Sequence, residues 1–316
     1  MNVTDFSKNK TISYAQNAED IVLYRLFKNK KKGFYIDVGA AHPIYDNVTK
    51  LFYDLGWSGI NIEPLKNHYD ILVQERKRDT NLSIGISNTD GALVFYYFPD
   101  IDGWSTIDKK RAEDAVKKGH KYEKLDIEVK TLSFICKQYV SQEIDFLKID
   151  VEGHELSVLQ GADWVQFRPK VVVYEDEFRD AKIDEFLRKQ KYLFALFDGL
   201  NSFYVRAEDK KLLSVIGTSA NVFDSFIPYK YLQPIEQLAF EKNKLLSKVK
   251  EINQTQKKLK QCLDEVKEAE NRYNQLLANY QKLDVRLQEI YLSKTWRFFE
   301  KIARVLSIIL PKKHVI

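Results

Sequence analysis

From Pro234 to Pro311 the chain holds no glycine and no further proline. A stretch of that length without the two strongest breakers of regular structure reads as continuous helix. Within it Leu245, Val249, Ile252, Leu259, Leu263, Val266, Tyr273, Leu277, Tyr280, Leu287 and Tyr291 recur at heptad spacing, with charges of both signs on the other faces. That is the pattern of a coiled coil, expected over residues 235–292. Gln256, Glu270 and Asp284 fall on the same seam, where polar side chains weaken a coil and can fix its register. A homo-oligomer follows from this reading, of a number the pattern leaves open; a long helix folded back on the body is the alternative. The globular part is thereby confined to residues 1–232.

Residues 293–316 form a third segment, a basic amphipathic tail. The net charge of the chain is +5. Six of its 50 Lys and Arg, and one of its 45 Asp and Glu, lie in this tail, so the rest carries 44 of each sign. A body of zero net charge is no polyanion binder, which excludes nucleic acid as its partner. Lys294, Arg297, Lys301 and Arg304 share one helical stripe, while Trp296, Phe299, Ile302, Val305, Leu306 and Ile309 take much of the remainder. Such a helix suits an anionic membrane surface and is too short to span a bilayer. Packing against the body or a coiled-coil partner is the competing reading. With no apolar N-terminal leader and no apolar run of spanning length, the expected location is the cytoplasm, peripheral at the inner face of the plasma membrane. Cys136 and Cys262 lie far apart without metal-ligand spacing, so no metal ligand is assigned, whether a metal assists the chemistry is left open, and a reducing compartment is expected.

The body alternates short apolar runs with helical patterns. Phe34-Tyr35-Ile36, Gly59-Ile60-Asn61-Ile62, Leu82 to Ile86, Ala92 to Phe98, Ile127 to Leu132, Ile144 to Ile149 and Pro169 to Tyr174 read as strands. Ile21 to Phe27, Asn47 to Leu55, Lys66 to Arg76, Leu156 to Gly161 and Lys182 to Gln190 read as helices, and Pro99 to Tyr122 as a polar loop. Tyr192 to Phe197 and Ser202 to Arg206 close the body as a hairpin across Asp198-Gly199-Leu200-Asn201. Alternation of this kind argues for an α/β fold with a mostly parallel sheet covered on both faces. A terminal antiparallel hairpin on that sheet is the Rossmann-like pattern of class I methyltransferases, here followed by the long helix.

Three groups of residues carry chemistry. After the first body strand, Asp37-Val38-Gly39-Ala40-Ala41 is a turn of small residues that lets backbone approach a ligand. The next strand ends on Glu63, where a carboxylate can accept two hydrogen bonds from a ribose diol. The turn lacks the full glycine fingerprint for a pyrophosphate, so the ligand these residues fit best is S-adenosylmethionine. Third, Asp150, Glu152, His154 and Glu155 crowd six residues at the carboxyl end of a strand. Helix capping accounts for one of these acids and leaves the others for function. Capping and favourable placement against the helix dipole equally suit Gln16, Glu19 and Asp20 ahead of the first helix.

Taken together, SYAQNAEDIVL, FYIDVGAAHP, NVTKLFYDLGWSGINIEP, GWSTID and FLKIDVEGHELSVLQGADW followed by PKVVVYE resemble the FkbM family of S-adenosylmethionine-dependent methyltransferases. The resemblance runs from about Ser13 to Arg206 and implies methyl transfer to oxygen, commonly on sugars or natural products. By that resemblance Gln16, Asp37, Gly39, Ala40 and Glu63 line the cofactor and Ser87 lies near the adenine. Asp150, Glu152 and His154 face the reacting end, and His42 and Asn47 serve either side. The Ser-Lys-Thr-Trp-Arg start of the tail also resembles tails of bacterial enzymes that build surface polysaccharides, which implies a glycan or glycolipid acceptor. The rival readings are a catalytically inactive scaffold of the same fold and a nicotinamide-dependent oxidoreductase. The latter is disfavoured by the missing glycines and the hairpin.

Overall fold

The computed structural model describes residues 10–309 apart from 102 and 178. The polar segment 1–9 and the tail cations Lys312 and Lys313 lie outside the described residues. The chain divides into two units, Met1–Gln237 and Leu238–Ile316.

In the first unit the elements run β1 (Thr11–Ser13), α1 (Glu19–Phe27), β2 (Phe34–Val38), α2 (Lys50–Asp54), β3 (Ser58–Ile62), α3 (Lys66–Glu75), β4 (Thr80–Leu82), β5 (Gly85–Ser87), β6 (Gly91–Tyr97), α4 (Lys109–Lys117), β7 (Glu123–Thr131), α5 (Leu132–Tyr139), β8 (Phe146–Ile149), α6 (Glu155–Gln160), β9 (Val171–Glu175), α7 (Ala181–Lys189), β10 (Tyr192–Phe197), β11 (Asn201–Arg206), α8 (Leu213–Ile216) and β12 (Phe226–Pro228). The central sheet has seven strands in the order β10-β11-β9-β8-β2-β3-β4. Its strands β4, β3, β2, β8 and β9 are parallel, and β11 runs antiparallel to both β9 and β10.

Every residue of β2 is buried, as a parallel strand covered on both faces requires. Successive side chains point to opposite faces, so neighbours serve different cores. Ile36, Ile149 and Val172 pack with Leu132, Ile135, Val158 and Leu187 from α5, α6 and α7. Tyr35, Phe146 and Val173 pack on the other face with Ile21, Leu23, Phe52 and Trp57. The Trp57 ring sits 5.6 Å from Phe27 and 4.9 Å from Phe52, centroid to centroid. A Cβ on Gly33 would lie 2.3 Å from that ring, so the entry to β2 must be glycine.

Three local expectations change, and one strand pairing is new. Leu82 to Ile86 is not one strand: β4 ends in the seven-stranded sheet, and β5 joins a second sheet of order β5-β7-β6. The polar loop after β6 contains α4, started by Asp108, whose carboxylate accepts from Lys110 N and Arg111 N at 2.7 and 3.0 Å. This helix escapes a periodicity test because it buries only Ala112 and Ala115. The helix expected from Asn47 begins at Lys50, since the Asn47 and Thr49 side chains are drawn into the site below. Finally, β1 pairs in parallel with β12, which ties residues 11–13 to residues 226–228.

The long helix α9 (Tyr229–Leu292) begins ahead of Pro234 rather than after it. Its first turn is anchored by buried Leu232 and by Tyr229, whose ring lies 5.0 Å from that of Tyr14. Those contacts offset the one helical hydrogen bond that proline cannot donate. In the second unit α9 breaks at Ser293, whose hydroxyl donates to Ile290 O and accepts from Trp296 N, starting α10 (Lys294–Ile309). Among the described residues no helix is long and apolar enough to cross a membrane.

Candidate active site

Because β2, β3, β8 and β9 are parallel, their carboxyl ends share one edge of the sheet. Chain order reverses there: β3 and β4 lie on one side of β2, and β8 and β9 on the other. This crevice is where open α/β sheets bind ligands.

The turn after β2 forms its floor. Gly39 has φ +76°, and a Cβ there would lie 1.8 Å from Asp150 O, so only glycine lets the two loops meet. Gly39 N and Ala40 N both donate to Ile62 O, at 3.0 and 3.1 Å. Ala41 is held at φ +45°, a region side-chain-bearing residues rarely occupy. Its N–H donates to a Glu63 oxygen at 2.9 Å, while Leu65 N donates to the other at 2.8 Å. Glu63 is 5% exposed, and burial pushes its carboxyl up to about 7.

A buried cation joins the strand ends. Lys148 Nζ donates to Gly39 O at 3.0 Å and stands 3.5 Å from Asp37 and 3.3 Å from Asp150. Burial opposes its charge, yet Asp150 and Asp37 hold the ammonium above its ordinary value. Asp37 is fully buried and accepts from Thr49 Oγ1 at 3.0 Å; burial raises its carboxyl against the pull of Lys148.

The acidic cluster is completed from β9. Asp150, Glu152 and Glu175 bring carboxylate oxygens within 4.8 Å of one another, a spacing at which the three could hold a divalent cation. Burial, then Asp150 and Glu175, push Glu152 up to about 9. Burial, then Asp150 as charge and hydrogen-bond partner, push Glu175 up to about 8. Glu152 has φ +55°, its carbonyl accepts from Thr106 Oγ1 at 2.6 Å, and its carboxylate lies 3.3 Å from Arg111 of α4. His154 Nε2 is 3.0 Å from Ser87 Oγ, and burial lowers the imidazole below its ordinary value.

The edge thus brings together Gly39, Ala40, Glu63, Asp150 and Glu152, with Asp37 beneath them through Lys148 and Ser87 beside His154. Gln16 stands exposed in the turn between β1 and α1. Asn47 donates to Ala40 O at 3.0 Å and supports the β2 turn. His42 Nδ1 accepts from Ile44 N at 3.1 Å. Glu19 and Asp20 do not cap α1, whose first turn has no side-chain cap. They fasten the preceding turn instead: Asp20 accepts from Ser13 Oγ and Tyr14 N, both at 2.7 Å, and Glu19 from Asn17 N at 2.8 Å.

Lys148, Glu175 and Arg111 escape the sequence reading. Glu175 ends the run VVVYE as Glu63 follows INI, so the same strand-end signal points to it. Lys148 is legible as a cation inside an apolar strand. Arg111 carries no signal without α4.

A family model described as the methyltransferase FkbM domain matches residues 37–194, half of the chain. A relative from Sordaria araneosa, methyltransferase sdnD, is 32% identical over 169 residues, which is 44% of this chain. The chain spans 65% of the length of that curated relative. The matched residues run from Asp37 into β10 and include the crevice described above. The chain belongs to the FkbM methyltransferase family.

Proposed function

We propose that this protein transfers a methyl group from S-adenosylmethionine to a hydroxyl of a glycan or glycolipid. The observation that carries the reading is the carboxylate cluster Asp150–Glu152–Glu175 at the strand edge, beside the glycine turn that closes on Asp150. The residues present fit the cofactor on three grounds. The β2 turn and the Asp150 loop meet at a distance only glycine allows. Each Glu63 oxygen accepts one backbone N–H and keeps a lone pair for a diol. Asp150, the carboxylate of this edge that pairs with Lys148, offers a sulfonium cation a negative charge. The strand order, with its antiparallel β11, supports the class I arrangement.

The cofactor, when bound, supplies an electrophilic methyl on sulfur. The chain must align the acceptor oxygen and remove its proton as that oxygen gains the methyl. In this reading Asp150 receives the proton, and Lys148 holds Asp150 in place. Glu152 carries its own proton at neutral pH, so it donates a hydrogen bond that orients the acceptor. Neutral His154, tied to Ser87, is the competing base. Trp104, 40% exposed in the loop leading to Thr106, has Lys118 Nζ over its ring at 5.1 Å and the His120 ring 5.3 Å away, and its remaining exposed surface suits a sugar.

Asp150→Asn should cut turnover by about 10²–10⁴-fold, the usual worth of a general base. Unchanged turnover with a large loss in His154→Gln would move the base to His154. Mass spectrometry of the host's surface glycan with and without the protein identifies the acceptor. An unchanged glycan would remove that substrate class. A catalytically inactive scaffold of this fold would give no transfer and no cofactor heat in calorimetry.

A further inference from the structure

The exposed face of α9 has a second reading. The row Leu259, Val266, Tyr273, Tyr280 and Leu287 is common to two heptad frames. One flank of this row is Leu263, Glu270, Leu277, Asp284 and Tyr291, which places two acids on the seam. The other flank is Cys262, Ala269, Leu276, Leu283 and Ile290, and it contains no polar side chain. On that flank Leu276, Leu283 and Ile290 are 68%, 58% and 51% exposed. On the shared row Tyr273 and Tyr280 are 66% and 68% exposed. Before Leu259 the preference reverses: Val249 is apolar where the alternative position is Lys248.

We propose that α9 associates with a second copy of this chain along a seam that changes frame at Leu259. The seam follows Leu245-Val249-Ile252-Gln256 and then continues through the Cys262 flank. Glu270 and Asp284 then stand at its edge in contact with water. The change places two three-residue steps in succession, Gln256 to Leu259 to Cys262, which overwinds a supercoil locally.

Three observations favour a copy of the chain as the occupant. The stripe from Leu245 to Ile290 is about 70 Å long. The other helix of this unit, α10, has 16 residues and extends about 24 Å, too little to cover it. Interlocking of side chains requires a partner with the same repeat and the same frame change, which a copy supplies at every position. Residues 259–290 carry five Lys and Arg against six Asp and Glu, so no strong like-charge barrier opposes self-association. The inference is independent of the chemistry proposed for the first unit.

Sedimentation equilibrium of the full chain tests it. The wild type should show a mass that is a multiple of the single chain. Leu276→Asp with Leu283→Asp puts carboxylates on the seam and should raise the concentration needed for assembly at least about 100-fold. Glu270→Ala with Asp284→Ala should shift it by less than about 3-fold, because both residues are wet. Melting of the first unit, unchanged in both variants, separates loss of assembly from misfolding. A wild type of single-chain mass would overturn self-association. Wild-type assembly in the Leu276 and Leu283 variant, or tighter assembly by more than about tenfold on removing the acids, would overturn the frame change.

Discussion

Glu152 concentrates the conflict at the heart of the site. It sits in a left-handed backbone conformation, among two other carboxylates, with Arg111 as its nearest cation. Its folded-state carboxyl lies at about 9 against an ordinary 4.5. Folding therefore favours its protonated form. The associated stability is complete below the ordinary value and is lost as pH rises toward the folded one. Thermal melts between pH 5 and 9 should show stability falling with pH, and Glu152→Gln should flatten that slope. Equal slopes in the two proteins would mean that Glu152 ionises normally. Glu63, Asp150, Glu152 and His154 were legible as strand-end or turn residues, because position on an edge follows from local pattern. Their pairings were not, since Ser87 meets His154 from the second sheet and Glu175 joins the cluster from the end of β9.

At the scale of elements, the parallel core was readable because β2, β3, β8 and β9 are mostly apolar, as burial on both faces demands. What failed were elements whose cause is not periodicity. α4 exists through an aspartate cap and two alanines, and the β4–β5 break arises where the chain leaves one sheet for another. Buried Trp57, at the entry to β3, packs against the rings of Phe27, Phe52 and Phe146. Trp57→Ala should cost about 3–5 kcal/mol, the usual range for a large buried aromatic. Denaturant unfolding that showed a loss below about 1 kcal/mol would mean that neighbouring rings refill the space. Gly33→Ala drives a methyl into the same ring and should be destabilising as well.

For the whole molecule, the contrast between a neutral body and a cationic tail has a functional consequence. In α10 the side chains of Trp296, Phe298, Phe299 and Val305 are 43%, 61%, 61% and 54% exposed, next to a stripe of four cations. We propose that this helix lies on an anionic membrane, with the aromatic rings at headgroup depth. The full chain should float with anionic vesicles and stay behind with neutral ones, and removal of residues 293–316 should abolish flotation. Equal flotation with and without those residues would assign the helix to a protein surface. Self-association through α9 would multiply such contacts and strengthen membrane binding without any new interaction.

The central claim is that the edge shared by β2, β3, β8 and β9 holds S-adenosylmethionine. Calorimetric titration of that compound into the full chain and into Glu63→Ala tests it most directly, with thermal melts confirming that both are folded. Saturable binding with one site per chain is expected, weakened at least about tenfold in the variant by loss of hydrogen bonds to the ribose. No binding by the wild type, or equal affinity in both proteins, would contradict it.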